Sequence, residues 1–220
     1  MGDYTQARAQ MVNCQLMPND VTDYRILDAM AEIPRELFVV PSKRVIAYTD
    51  ANILVSENAG GRYLMRPHFF AKLVQLADVK ADDVVLVIGG GTGYSTAVLA
   101  KLAASVVMLE EDHELAEAAS ANLIELGIEN AAAVEGKLTE GCPSEGPFDI
   151  ILIDGAVEVL PEALLAQLKP EGRLVAVEGS DSSAFAKVYQ ASSGIVGGRA
   201  AFNASAHLLP GFEKPKEFVF

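Results

Sequence analysis

From Asp82 onward, short aliphatic runs alternate with stretches of helical spacing. The candidate strands are Val84–Ile88, Ser105–Leu109, Ala131–Val134, Asp149–Ile153 and Arg173–Val177, and the candidate helices between them are Tyr94–Leu102, His113–Leu126 and Pro161–Leu168. Strands that are aliphatic almost throughout are buried on both faces, as in parallel sheets covered by helices. The pattern predicts a doubly wound, mostly parallel α/β sheet of the Rossmann-like type.

The first 80 residues follow a helical pattern instead. Apolar positions from Asp23 to Ile33 have helical spacing and stop before Pro34, which cannot continue the hydrogen-bond ladder. Pro67 suits the first turn of another helix. Residues 51–66 contain Asn, Gly-Gly and little periodicity, which predicts a loop or short hairpin.

At the C-terminal end the pattern changes again. Residues 184–190 and Ile195–Asn203 alternate loosely around a Ser-Ser-Gly turn, which predicts antiparallel strands at the edge of the sheet. The tail that follows fits no element clearly. We expect one compact unit in which residues 1–80 form a helical segment and substrate loop packed on an α/β domain of residues 81–220.

Composition narrows the class of protein. The chain has 220 residues, half of them hydrophobic, which suffices for one sizeable core. The N-terminus resembles no signal peptide and no apolar run reaches membrane-spanning length, so we expect a cytoplasmic protein without membrane attachment. Cys14 and Cys142 lie far apart without a metal-binding pattern, which favours reduced thiols.

The acidic charge lies in the second part of the chain. Lys and Arg balance Asp and Glu, 9 against 9, up to Lys80, and the remaining 8 against 21 carry the whole net charge of −13. An acidic surface repels phosphate backbones, so we expect no nucleic-acid partner. The composition predicts no oligomeric state.

The first candidate ligand-binding motif is the stretch VVLVIGGGTGYSTAVLA, Val84 to Ala100. Its glycines follow a predicted strand and precede a predicted helix, where ligands of such sheets bind. A phosphate loop would need Lys followed by Ser or Thr after the glycines, and the dinucleotide fingerprint GxGxxG is not met. Gly89, Gly91 and Gly93 read GxGxG, which favours S-adenosylmethionine (SAM) over NAD; the alternative is a tight turn without a ligand.

An acidic residue supports the same hypothesis. Glu110 closes the second predicted strand about 20 residues after the glycines, where a carboxylate accepts hydrogen bonds from both hydroxyls of a ribose. We therefore expect Gly89, Gly90, Gly91 and Glu110 to bind the cofactor.

Motifs along nearly the whole chain resemble the protein-L-isoaspartate O-methyltransferase family. The N-terminal motifs are the most specific, because many SAM-dependent methyltransferases share the glycine turn. The similar segments are Met11–Leu16, Asp23–Val39, Ala47–Asp50, Ile88–Tyr94, Gly127–Asn130, Pro147–Ile151 and Gln167–Val175.

This resemblance implies a SAM-dependent repair enzyme. Its substrates would be damaged proteins or peptides, methylated on the side-branch carboxylate of an isoaspartyl residue, and the ester would then collapse to a succinimide. The resemblance also implies that Gly93 and Tyr94 belong to the cofactor site, together with Lys137 and Leu138 after the third strand.

Three positions depart from the family pattern. The family usually carries Thr-Ile-Ser-Gln-Pro before the Pro67 helix, and its active-site serine corresponds to Met65 here, so the resemblance assigns no catalytic residue. The carboxylate that usually ends the first strand is Val87. The aspartate of a Gly-Asp-Gly motif, which accepts from the adenine amino group, is Lys137, and an ammonium accepts no hydrogen bond.

We expect Met65, whose thioether could line an apolar pocket for the methyl group, and Arg66 to contact the substrate. Arg66 could bind a carboxylate with two parallel hydrogen bonds, or it is an exposed loop arginine. Asp154 lies at the predicted end of the fourth strand, facing the same crevice, where it could contact cofactor or substrate; we expect a solvated carboxylate instead. His68, expected to be solvated or to cap a helix, shares no metal-binding spacing with His113 and His207, so we expect no metal site.

Two classes of function stay open on these residues. One is an active carboxyl methyltransferase, acting on isoaspartyl proteins or on another carboxylate. The other is a catalytically impaired relative that serves as a binding or regulatory module. The retained glycine turn and Glu110 favour the first.

Overall fold

A computed structural model describes residues 4–58, 61–179, 184–192 and 195–215. Its strands are β1 Ile53–Ser56, β2 Arg62–Leu64, β3 Val84–Ile88, β4 Ser105–Glu110, β5 Ala131–Glu135, β6 Phe148–Val157, β7 Leu168–Glu178, β8 Phe185–Ser192 and β9 Ile195–Asn203. Its α-helices are α1 Thr5–Met11, α2 Tyr24–Glu32, α3 Pro67–Ala77, α4 Tyr94–Ala100, α5 His113–Glu125 and α6 Glu162–Leu165. Short 3-10 segments cover Met17–Asn19, Arg35–Phe38, Pro41–Ile46 and Leu138–Glu140, and a π-helical turn covers Val12–Leu16.

Seven strands form one sheet in the order β5-β4-β3-β6-β7-β8-β9. Strands β3 to β7 pair in parallel, and β8 and β9 add antiparallel pairs at the edge. The predicted doubly wound sheet and its antiparallel edge are thus confirmed. Ser193 and Gly194 of the predicted turn lie outside the described residues. Since β4 and β6 flank β3 on opposite sides, the chain reverses its winding there and leaves a crevice at the carboxyl ends of β3 and β6.

The alternation of side chains along β3 divides the core between the two faces of the sheet. Val85 and Val87 point into a cluster that includes α3, α4 and the N-terminal helices. Leu86 and Ile88 point into a second cluster, which includes Phe212 near the end of the described chain. These four side chains are fully buried. Val87, where the family usually has a carboxylate, is therefore a core residue.

The N-terminal elements agree with the predicted helices. The side chain of Asp23 caps α2 by accepting a hydrogen bond from the Arg25 N–H, and α2 ends before Pro34. Pro67 opens α3. Within the range predicted as a loop or short hairpin, β1 and β2 pair antiparallel, and in the described chain they pair only with each other.

One predicted helix is shorter in the structure, and part of the unassigned tail has a defined course. The helix predicted over Pro161–Leu168 is only the four residues of α6, because Leu168 already pairs with Phe148 at the start of β7. The described part of the tail that fitted no element, residues 204–215, returns to β6 after β9. There the Ala156 N–H donates to the His207 carbonyl at 2.8 Å, and the Leu209 N–H donates to the Ala156 carbonyl at 2.9 Å.

Cys142 is buried and Cys14 exposed, both as free thiols. No helix in the described ranges has the length and apolar character needed to cross a bilayer. Among those residues, no group of three or more His, Cys, Asp and Glu is arranged to hold a metal ion.

Candidate active site

The glycine turn lies at the carboxyl end of β3. Gly89, Gly91 and Gly93 have φ angles of 74°, 57° and 96°, a left-handed region that favours glycine. Gly93 forms the N-cap of α4, and its N–H donates to the Gly90 carbonyl at 2.9 Å. A Cβ on Gly90 would lie 2.7 Å from the Met108 sulfur. The sequence therefore folds the turn tightly onto β4.

Glu110, at the end of β4, is only 1% exposed. Its Oε1 accepts hydrogen bonds from the Glu111 and Asp112 N–H groups at 2.9 and 3.2 Å. Its Oε2 accepts from the Gly91 N–H at 2.9 Å and from Arg62 Nη2 at 2.5 Å. The carboxylate thus lies beside the glycine turn, as predicted, and both of its oxygens already have donors.

One side of this carboxylate is filled by protein; we call it the closed side, formed by Arg62 and Leu209 over Gly89 and Gly155. A Cβ on Gly89 would lie 2.9 Å from Leu209 Cδ1 and 3.1 Å from Arg62 Nη2. A Cβ on Gly155 would lie 2.5 Å from Leu209 Cγ. The cavity left there has a volume of about 10 Å³, room for about one water molecule.

The other side of the carboxylate is a cleft of about 510 Å³, which we call the open side. Its lining residues are Asn58, Arg62, Glu110, Glu111, Asp112, His113, Glu114, Thr139, Pro210 and Gly211. The hydrogen bond from His113 Nδ1 to Glu135, at 2.7 Å, and the nearby Glu117 raise the pKa of His113. The open side is therefore solvated and rich in carboxylates.

The two segments that close the site also contact each other. Tyr63 of β2 stacks on His207, with ring centroids 3.4 Å apart and an interplanar angle of 11°. Burial lowers the pKa of His207, which favours the neutral ring in this stack. The hairpin that carries Arg62 and the C-terminal segment that carries Leu209 therefore pack against each other where they cover the crevice.

The predicted substrate residues follow the hairpin directly. Met65 is 4% exposed and lines the small cavity of the closed side, together with Asp154. The Arg66 N–H donates to Asn52 Oδ1 at 2.8 Å, and its guanidinium lies 5.3 Å from the centre of the Phe69 ring. Arg66 is thus half-buried rather than an exposed loop arginine.

The fully buried side chain of Arg35 holds the main chain of this loop in place. Arg35 Nε donates to the Ala47 carbonyl at 2.8 Å, and Nη2 donates to the Met65 carbonyl at 2.6 Å. The same guanidinium lies 4.7 Å from the centre of the Tyr94 ring. Arg35 therefore fixes the main chain at Met65.

The expectation of a solvated Asp154 is wrong. Strand β6 continues to Val157, so Asp154 lies within the strand and is 6% exposed. Its Oδ1 has no hydrogen-bond partner among the described residues. Burial raises the pKa of Asp154 to about 6, and the charges of Arg62 and Arg35 oppose only part of that effect.

The residues implied by the resemblance fall into different environments. The Tyr94 ring packs in the core against Phe38 and Phe70, so only its main chain faces the turn. Lys137 is exposed and pairs with Glu140 at 3.1 Å. Leu138 is fully buried. A cofactor role for these side chains stays a prediction.

His68, expected to be solvated or to cap a helix, is 8% exposed, and its Nδ1 lies 2.7 Å from Asp50 Oδ1. Sequence reasoning gave no role to Arg62, Leu209 or Arg35. Arg35 stands in a segment that carries the family resemblance, which could have marked it. Arg62 and Leu209 follow no motif that would have pointed to the crevice.

A family model described as protein-L-isoaspartate(D-aspartate) O-methyltransferase (PCMT) matches residues 7–201 of the chain. Two similar proteins are named protein-L-isoaspartate O-methyltransferase. The one from Koribacter versatilis is 39% identical over 173 residues, which cover 79% of this chain and 77% of the relative. The one from Methanoculleus marisnigri is 37% identical over 172 residues, which cover 78% and 77%.

Solved structures resemble the same fold. A protein-L-isoaspartate O-methyltransferase superposes with a TM-score of 0.81 at 27% identity, over 93% of this chain; the chain spans 66% of that structure's own length. A Plasmodium falciparum protein described as a putative PCMT, in complex with S-adenosyl-L-homocysteine, gives a TM-score of 0.76 at 20% identity, over 95% of this chain and 99% of the other. At that identity the second match concerns the fold alone.

Proposed function

The chain belongs to the protein-L-isoaspartate(D-aspartate) O-methyltransferase family, and from that premise we propose that it methylates the side-branch carboxylate of isoaspartyl residues in damaged proteins. The cofactor of this family is SAM, which supplies a methyl group on a sulfonium when bound. The observation that carries the proposal is the Glu110 carboxylate, held 2.9 Å from the Gly91 N–H at the carboxyl edge of the sheet.

The fit of the cofactor differs between the two sides of the site. The main chain at Gly91 is open, since a Cβ there would meet its nearest neighbour, Val55 Cγ2, only at 3.9 Å. Glu110 and this turn would hold the cofactor, with the open side as its continuation. The closed side leaves no such room while Arg62 and Leu209 cover Gly89 and Gly155.

Methyl transfer to a carboxylate requires little catalytic chemistry from the protein's side chains. A substrate carboxylate is ionised above about pH 5, so the attacking oxygen needs no general base. The protein must therefore orient the carboxylate and exclude water. Arg66 supplies a half-buried guanidinium for the first task, and Met65 supplies an apolar wall for the second.

The direct test measures tritium transfer from labelled SAM to an isoaspartyl peptide. The matched control is the same peptide with a normal aspartyl residue, which carries the same charge on an unbranched chain. We expect transfer to the isoaspartyl peptide only. Equal transfer to both peptides would indicate a different carboxylate substrate, and transfer to neither would contradict methylation of isoaspartyl residues.

The substrate role of Arg66 has its own test. We expect Arg66→Ala to raise the KM for the isoaspartyl peptide at least ~10-fold and to leave the Kd for S-adenosylhomocysteine within ~2-fold, about the effect of one charge-assisted hydrogen bond. Arg25→Ala, which removes an exposed arginine paired with Asp23, is the control. Equal effects on peptide and cofactor would remove Arg66 from the substrate site.

A second candidate is a family relative that binds without methyl transfer. The observation that favours it is the use of Glu110 by Arg62, together with the loss of a hydroxyl at Met65. Binding of the isoaspartyl peptide without any tritium transfer would support this candidate.

A further inference from the structure

Within the proposed methyltransferase site, Arg62 occupies the hydrogen-bonding position that a ribose would need. Its Nη2 lies 2.5 Å from Glu110 Oε2, and both side chains are almost fully buried, at 3% and 1% exposure. The remaining donors to Glu110 are main-chain N–H groups of Gly91, Glu111 and Asp112. A carboxylate offers about four acceptor sites, so a ribose hydroxyl would compete with Arg62 for Glu110.

Leu209 fills the neighbouring space. Its side chain covers both Gly89, which directly follows β3, and Gly155, which lies within β6 shortly before its end at Val157, at distances that leave no room even for a Cβ. These two strands border the crevice in which a ligand of such a sheet binds. A polar and an apolar side chain from two separate segments therefore fill the site together.

We propose that Arg62 and Leu209 form an internal plug that competes with the cofactor, so that SAM binds only after this plug withdraws from Glu110 and Gly89. The inference rests on the proposed function, because it assigns the plugged crevice to the cofactor of that reaction. It concerns occupancy of the site and not the chemistry carried out there.

The hairpin that carries Arg62 is the part of the plug suited to withdrawal, whereas the segment of Leu209 is held to β6. Arg62 lies on β2, a strand of three residues that pairs only with β1 in the described chain, and isolated two-stranded hairpins are marginally stable. Leu209 is joined to β6 through the hydrogen bonds of Ala156. A buried ion pair regains hydration when it opens, so the loss of the Arg62–Glu110 contact is partly offset by solvation.

Withdrawal would reshape the substrate loop at the same time. Met65 and Arg66 directly follow β2, and Tyr63 ties the hairpin to His207 by stacking. The main chain at Met65 is nevertheless held by Arg35 at 2.6 Å. The hairpin can thus move about a fixed point at Met65, which links cofactor entry to the position of Arg66.

Calorimetric titration with S-adenosylhomocysteine tests the plug in the full chain. We expect Arg62→Ala and Leu209→Ala each to tighten binding at least ~10-fold relative to the unsubstituted protein. Arg25→Ala and Ile124→Ala are matched controls, an exposed arginine and an exposed aliphatic residue outside the crevice, and should stay within ~2-fold. The Leu209 variant serves alone if removal of Arg62 prevents folding.

Unchanged or weaker binding by Arg62→Ala and Leu209→Ala would overturn the plug, as would the absence of binding by every variant at millimolar S-adenosylhomocysteine. A crystal structure of the complex in which Arg62 still contacts Glu110 would overturn it too. These measurements distinguish the plug from the proposed methyltransferase activity. Variants that bind S-adenosylhomocysteine more tightly but transfer no tritium would support the plug and contradict the activity. Tritium transfer with equal affinities supports the enzyme alone.

Discussion

The two sides of Glu110 share one carboxylate but differ in what surrounds it. On the open side the cleft is solvated and lined by carboxylates around His113. On the closed side Arg62 and Leu209 exclude nearly all solvent. The glycine turn alone therefore does not determine whether a Rossmann-like crevice is available, because side chains from outside the sheet can occupy it.

The largest effect is expected when the charge of Glu110 is removed. Glu110→Gln keeps the size of the side chain but leaves the Arg62 guanidinium buried without a counter-ion, which we expect to cost about 3 to 5 kcal/mol of the free energy of unfolding. Urea unfolding measures it. Exposed Glu111→Gln should change stability by less than about 0.5 kcal/mol.

A double variant sharpens the same test. Arg62→Ala combined with Glu110→Gln should recover part of the lost stability, since neither side chain then leaves an uncompensated charge. If Glu110→Gln alone is as stable as the unsubstituted protein, the pair does not hold the closed side together.

The next effect concerns Gly89. We expect Gly89→Ala to cost about 2 to 4 kcal/mol, from its left-handed φ and from the clash of the new Cβ with Leu209. Gly127→Ala is the matched control: its φ is +65°, and a Cβ there would meet no atom of the described chain within 4 Å, so it should cost only about 1 to 2 kcal/mol. Adding Leu209→Ala should reduce the excess cost at Gly89. An equal cost at both glycines would contradict the close packing of Leu209.

Asp154 gives a smaller effect with a defined pH dependence. Its pKa rises on folding from 3.8 to about 6, so ionisation destabilises the fold as pH rises through that window. Asp154→Asn should therefore stabilise the protein by about 1 to 3 kcal/mol above about pH 6 and by nothing below about pH 4. Thermal unfolding across this range measures the difference.

Asp149→Asn is the control of opposite sign. Against the effect of its burial, Lys169 and the Val84 N–H lower the pKa of Asp149, so its ionised form contributes stability above about pH 4 that falls away in acid. Its neutral substitute should destabilise the protein at about pH 7. Destabilisation by Asp154→Asn at about pH 8 would show that Asp154 is stabilised as a carboxylate.

The smallest effect lies on the open side. Glu135→Gln should lower the pKa of His113 towards its ordinary value of 6.5, because it removes the hydrogen-bonded carboxylate. NMR titration of the His113 ring measures it. Glu117→Gln should lower that pKa less, since Glu117 lies 3.4 Å away and Glu135 2.7 Å. An unchanged pKa of His113 in both variants would show that neither carboxylate interacts with the ring.

The parts of this molecule that local pattern controls were predictable. Strand β3 is aliphatic throughout, and the glycines after it and Glu110 at the end of β4 follow from their spacing. The closed side was not predictable, because Arg62 and Leu209 lie far apart in the chain and meet only through tertiary packing. The burial of Asp154 was missed for a related reason: pairing with β7 extends β6 beyond its aliphatic run.

The grip of Arg35 on the Met65 carbonyl has an evolutionary consequence. Because the contact is made to the backbone, the identity of the side chain at position 65 does not affect the anchor. A lineage could exchange a hydroxyl for a thioether there while the loop kept its course. The side chain that faces the substrate can therefore change during evolution without a change in the backbone of the loop.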